Sequence, residues 1–174
     1  GQKVLYTRNQ NWNANFTIEE LPPYAGVCAG TMWYLTPVFN LTGDTCVGYK
    51  MNVSSVGTGI MEDKDKVSDH GWYKYRDIMI ELDIAGGVTH ISKLGWDSYS
   101  LQAIYLRAIK NERFPTIGAD AFRGLNRSKT ILYVHSSKSK ALAETADWKD
   151  FTNVREIDIQ AYRDSTIDFM KRIC

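Results

Sequence analysis

Apolar and polar positions alternate along several short stretches, and the alternation predicts strands rather than helices. In Val47–Val56, VGYKMNVSSV, the apolar positions Val47, Tyr49, Met51 and Val53 interleave with polar ones, the pattern of a half-buried strand. The preceding TMWYLTPVF at 31–39 is rich in aromatic and β-branched residues, and LTGDT at 41–45 supplies turn chemistry between the two. Together they predict a hairpin. Residues 1–24 are polar and Asn-rich, anchored by Trp12 and Phe16, and end in Pro22-Pro23, which reads as a leading strand or irregular arm. The Gly-bounded polar segment 57–71, GTGIMEDKDKVSDHG, reads as a solvated connection.

The second half shows a recurrence. Leu82 and Ile84 anchor IMIELDI, Ile104 and Leu106 anchor SLQAIYLRA, Leu132 and Val134 anchor KTILYVH, and Arg155 and Ile157 take the matching places in NVREIDI. The steps from Ile84 to Leu106, Val134 and Ile157 are 22, 28 and 23 residues. One strand per 20–29 residues predicts a leucine-rich-repeat-like solenoid, against the plain alternative of unrelated strands that mimic a period. The surplus KNERFP at 110–115 reads as a surface insertion. Beyond Ile159, Tyr162, Ile167, Phe169, Met170 and Ile173 lie among charges, as in a short amphipathic helix closing an array. The expected fold is thus α+β or mainly β. An N-terminal β-hairpin or sheet cap spans 1–77, a short solenoid of about three to four repeats spans 78–159, and a C-terminal capping segment spans 160–174.

Composition narrows the class. The 174 residues, 44% hydrophobic and 12% aromatic, suit one ordinary globular domain and argue against disorder. Lys and Arg number 21 against 20 Asp and Glu, so nothing favours nucleic acid as a partner. The charges are lopsided: 7 fall in residues 1–62 and 34 in the remaining 112. A charge-poor capping sheet before a charge-rich array accounts for this. No stretch approaches the ~20 apolar residues of a membrane helix. Cys28, Cys46 and Cys174 have no metal-binding spacing; a Cys28–Cys46 bridge is open, with buried free thiols the simpler reading.

Residues 115–157, PTIGADAFRGLNRSKTILYVHSSKSKALAETADWKDFTNVREI, resemble the terminal repeat of BspA-like leucine-rich-repeat proteins, which are secreted or surface proteins of anaerobic bacteria. The family's IG-x-x-AF element is matched by Ile117, Gly118, Ala121 and Phe122. Upstream, the resemblance takes in Cys28-Ala29-Gly30, Trp33-Tyr34-Leu35, Gly57-Thr58-Gly59-Ile60-Met61, Trp72-Tyr73-Lys74-Tyr75-Arg76, and Gly87-Val88-Thr89 with Ile91. It covers about residues 26–157; residues 1–25 and 158–174 have no counterpart. After Ile91 the chain reads SKLGWDSYS without the Ala-Phe pair, so an irregular turn is expected there. The resemblance implies a secreted or cell-surface location, with any signal or lipid anchor removed before residue 1, and a role in adhesion.

Motifs for other chemistry are weak. His70, His90 and His135 are isolated, and no His-x-x-x-His or Cys-x-x-Cys spacing occurs. The acidic loop gathers Asp63, Asp65, Asp69 and His70, and its carboxylate oxygens suit calcium, but Val67 falls at a ligand position of the EF-hand loop and the central Gly is missing. Gly57-Thr58-Gly59 lacks the third Gly and the Lys of a phosphate loop. There is no Gly-x-Ser-x-Gly elbow. Asn-x-Ser/Thr sequons begin at Asn15, Asn40, Asn52 and Asn126 and suit turns. The expectation is a non-enzymatic chain with no metal and no cofactor.

What remains is a surface. If Leu82/Ile84, Ile104/Leu106 and Leu132/Val134 point inward, Asp83, Tyr105 and Tyr133 point outward, with Glu156 in that place on the fourth strand. Glu81, Arg107, His135 and Asp158 flank them. Of these, Asp83, Tyr105, Tyr133, Glu156, Arg107 and His135 are the candidate binding residues for a protein partner from host or envelope; cross-strand Tyr pairing that only stabilises the sheet is the simpler alternative. A glycan partner is the rival, held by exposed Trp12 or Trp96, with Trp33 and Trp72 expected in the core.

Overall fold

A computed structural model of the chain describes residues 4–6, 17–19 and 24–157. The first two segments form strands β1 (Val4–Tyr6) and β2 (Thr17–Glu19), paired in parallel. Then come β3 (Ala25–Cys28), β4 (Thr31–Phe39) and β5 (Cys46–Ser55), an antiparallel meander. The expected hairpin is β4–β5, closed by the turn at 40–45. There Asn40 and Asp44 gather the hydroxyls of Thr42 and Thr45, the local bonding that favours such residues in turns.

The next strands are β6 (Met79–Ile84), the two-residue β7 (His90–Ile91), β8 (Ala103–Leu106), β9 (Thr116–Ile117), β10 (Ile131–His135) and β11 (Val154–Ile157). One short helix, α1 (Ser139–Glu144), and three single-turn 3-10 segments complete the described chain. Strands β6, β8, β10 and β11 pair in parallel, while β7 and β9 form a separate two-stranded parallel ladder.

The expected solenoid with separate caps is not what forms. β5 pairs in parallel with β6, so the hairpin region and the parallel strands are one mixed seven-stranded sheet, ordered β11-β10-β8-β6-β5-β4-β3. The fold is mainly β, with a single short helix among the described residues. Backbone hydrogen bonding explains the difference. The free edge of β5 meets the free edge of β6, and a shared ladder satisfies both. The C-terminal cap expected at 160–174 lies outside the described residues.

Register aligns three of the four strand anchors as their spacing predicts. Leu82, Ile104 and Leu132 are aligned, as are Ile84, Leu106 and Val134. The fourth strand is displaced by one residue: Val154 aligns with Leu132 and Glu156 with Val134. Val154 is the residue of this edge strand that packs against the core, and that packing sets the register.

Under the sheet the chain stacks a column of aromatic rings. Trp33 meets Trp72 edge-on, Trp72 and Trp96 stack at 5.5 Å, Trp96 and Phe122 at 5.6 Å, and Phe122 meets Trp148 and Phe151. Offset rings at these separations gain more than their buried area. The Trp72 indole N–H donates to Gly95 O and that of Trp148 to Pro115 O, both at 2.8 Å. The turn after Ile91 is regular, against expectation. Trp96 lies five residues past Ile91, as Phe122 lies five past Ile117, and the amides of Leu94, Trp96 and Ser98 donate to Ala119, Ala121 and Arg123. Gly95-Trp96 thus occupies the place of the Ala-Phe pair.

The polar segment 57–71 is not simply solvated. Met61 and His70 are buried within it. Gly59 has φ +69°, and a Cβ there would sit 2.0 Å from Gly87 O, so only glycine fits. The 110–115 insertion is likewise tied down: the buried Lys138 ammonium donates to Lys110 O and Glu112 O.

Candidate functional site

The sheet's outward face carries a row one residue deep across six strands: Tyr34, Asn52, Asp83, Tyr105, Tyr133 and Arg155. Alternation sets this row, because its neighbours Trp33, Val53, Ile84, Leu106 and Val134 point into the core. Tyr105 and Tyr133 stack face to face, with centroids 4.6 Å apart and ring planes 11° from parallel. The one-residue displacement of β11 puts Arg155, not Glu156, at the end of the row. Glu156 is exposed but falls in the inward register, where an edge strand leaves it in solvent.

Asp83 is not an accessible contact. It is 4% exposed, clamped by Arg107 in a two-pronged pair of 2.7 and 2.6 Å, with the Lys50 ammonium 3.5 Å away. A fork of this kind fixes both partners in one geometry. Lys50 also reaches over the Tyr105 ring, 5.4 Å from its centroid, a cation–π contact. Asp83, Arg107, Lys50, Tyr105 and Tyr133 thus form one connected cluster. Asp83 and Arg107 position it, and the two half-buried rings and Lys50 face outward. Beside it, Glu81 pairs across from Lys50; burial, with Asp83 adding to it and Lys50 opposing, pushes its carboxyl above the ordinary range.

His135 does not join the cluster. Its Nδ1 accepts from the Ser137 amide at 3.1 Å and lies 2.7 Å from the Ser137 hydroxyl, capping the 3-10 turn that leads into α1. Asp158 lies outside the described residues. Lys50 belongs to the cluster although sequence reasoning passes over it. The alternation that turns Tyr49, Met51 and Val53 inward turns Lys50 and Asn52 outward, but nothing local reveals that β5 lies beside β6.

The other histidines are not isolated. His90 bridges Asp63 Oδ1 (2.9 Å) and Thr116 Oγ1 (2.7 Å), tying segment 57–71 to the β7–β9 ladder. Burial works against the charge on Asp63, but the Lys93 amide and His90 outweigh it and hold the carboxyl below its usual range. His70 is buried against Trp72 with Nε2 3.0 Å from Lys93 O; burial, with Lys64 adding to it, lowers its pKa to about 4. Among the described residues no three His, Cys, Asp or Glu side chains converge as a metal site. Cys28 and Cys46 are free thiols, the first buried and the second exposed.

Of the two rings expected for a glycan, Trp96 is not available on the surface. Trp96 is fully buried with Trp72 and Trp148, Trp33 is nearly so, and Trp12 lies outside the described residues. Among the described residues no helix is long and apolar enough to cross a membrane. No family model, curated protein or solved structure matches the chain.

Proposed function

We propose that this is a non-enzymatic secreted or cell-surface protein that recognises a protein partner, from host or envelope, through the outward face of β5, β6, β8 and β10. The observation that carries the reading is the stacked Tyr105–Tyr133 pair, half-buried and braced by Lys50 and the Asp83–Arg107 clamp. Rigid rings with polar tips and charged neighbours lose little side-chain entropy on binding. The strings at 26–157 that resemble BspA-like surface proteins support the location and the adhesive role.

The test is quantitative capture from host extracellular material and from envelope extracts, comparing wild type with Tyr105→Ala and Tyr133→Ala. Each substitution is expected to weaken capture about tenfold or more, as central aromatic contacts do, with circular dichroism unchanged. Equal capture by all three proteins removes this face as the site. Asp83 is unsuited to the test, because its loss strands two cations within the sheet surface.

A further inference from the structure

The two edges of the seven-stranded sheet are built differently. β11 ends it on one side with Arg155 and Glu156, both exposed, and charges of this kind discourage a further strand from pairing there. β3 ends it on the other side with Ala25-Gly26-Val27-Cys28 and no charge. Among the described residues β3 pairs with β4 alone, and Val27 is 75% exposed. An uncharged apolar edge left open is a template for another strand.

The backbone shows which groups are open. The Leu35 amide donates to Tyr24 O at 2.8 Å, so Tyr24 turns its backbone groups toward β4. By alternation Gly26 and Cys28, opposite Trp33 and Thr31, do the same. The N–H and C=O of Ala25 and Val27 therefore point away from β4, to the free edge. Open groups spaced two residues apart are self-complementary. Laid antiparallel on its own copy about an axis at Gly26, β3 sets Ala25 opposite Val27 of the partner subunit and Val27 opposite Ala25 of the partner subunit. Each pair exchanges both of its N–H···O bonds, which satisfies every open group of these residues on the two strands. Gly26 then stands where the strands approach most closely, and a glycine leaves that approach uncrowded. Trp33 requires the glycine from the other side, because a Cβ there would lie 2.7 Å from the indole.

Charge distinguishes a second copy from other occupants. Beside a two-fold axis a charged residue meets its own image, so self-pairing favours a strand with no charge. An edge read by a different protein is free to carry charges that the partner complements. Residues 21–43, which include β3 and all of β4, hold no Asp, Glu, Lys or Arg in a chain 24% charged. On the outward face Met32, opposite Val27, and Tyr34 on the same strand are also exposed, so an apolar patch runs up to the edge. We propose that β3 is a homodimer edge: two copies of this chain join antiparallel, β3 to β3, into one continuous sheet. The interface is separated from the Tyr105–Tyr133 pair by β4, β5 and β6 and does not depend on it.

Sedimentation equilibrium on the full chain, between about 5 and 500 μM, tests the proposal, since a single short edge ladder stands at the weak end of interfaces. A monomer–dimer equilibrium is expected. Val27→Lys places an ammonium on each side of the axis and should raise the dissociation constant about tenfold or more. Circular dichroism and the thermal midpoint should stay as in wild type, because Val27 is exposed. Amide exchange followed by NMR on the wild-type chain locates the interface without any substitution: the Ala25 and Val27 amides should exchange fast in dilute solution and slow down as the dimer forms. The Tyr105→Ala/Tyr133→Ala double variant should dimerise as wild type does. A chain that stays monomeric throughout, a dimer unmoved by Val27→Lys, or loss of the dimer in the tyrosine double variant would each overturn the proposal. So would Ala25 and Val27 amides protected equally at every concentration, which would give the edge to another segment of the same chain.

Discussion

Two sets of stacked aromatic rings lie on opposite faces of one sheet. Inside, Trp72, Trp96 and Phe122 stack at 5.5 and 5.6 Å. Outside, Tyr105 and Tyr133 stack at 4.6 Å. Ring geometry therefore does not distinguish core from candidate site. Surroundings do. The inner rings share a core with the fully buried aliphatic side chains of Ile91, Ile104 and Leu106. The outer rings lie among Lys50, Asp83 and Arg107, on the outward face of the sheet. The inner column serves stability, and the outer pair is available for recognition.

Stability measurements test that contrast. The largest effect belongs to the column: Trp96→Ala should cost about 3–5 kcal/mol, as emptying a large buried site does. Within the column, Trp72→Phe should cost more than Trp96→Phe, because the first loses a bond to Gly95 O and the second loses an N–H with no partner among the described residues. Urea unfolding measures both, and the reverse order would show that the hydrogen bond is not what distinguishes the two indoles.

His70, packed on Trp72, links the column to pH. Its folded pKa of about 4 lies below the ordinary 6.5, so the unfolded chain takes up a proton first as pH falls. The contribution is fully present above about pH 6.5 and is lost as pH falls toward 4, by up to roughly 3 kcal/mol. A His70→Gln variant should show a shallower loss between about pH 7 and pH 4.5 than wild type. Parallel slopes would mean that other groups set the acid response.

The smallest effect belongs outside. Tyr133→Ala removes one cross-strand ring contact and should cost about 1 kcal/mol or less, although its effect on capture is expected to be large. A loss as great as that of Trp96→Ala would place the tyrosines with the core and dissolve the comparison.

Particular residues show how far the chain is legible before it is folded. Spacing alone aligns Leu82, Ile104 and Leu132, and alternation alone turns Asp83, Tyr105 and Tyr133 outward. Both are local properties of extended chain. Arg155 sits one position away from its expected place because NVREIDI alternates ambiguously, and the packing of Val154 chooses its register. The burial of Asp83 is illegible, since one of its cations, Lys50, comes from a strand 33 residues earlier. Trp96 reads as a candidate exposed ring because its equivalence to Phe122 emerges only when the turns are stacked.

Where strands occur and which side of each is apolar are written in neighbouring residues, because a strand repeats every two positions. The joining of β5 to β6 is not written there. It depends on which edges meet when the chain packs, and it turns an expected cap and solenoid into one mixed sheet. Packing also settles which charges are buried, Asp83 and Asp97 among them. Backbone hydrogen bonds are the same for every residue, so alternation specifies a face and leaves the choice of neighbouring strand to the packing of the whole chain.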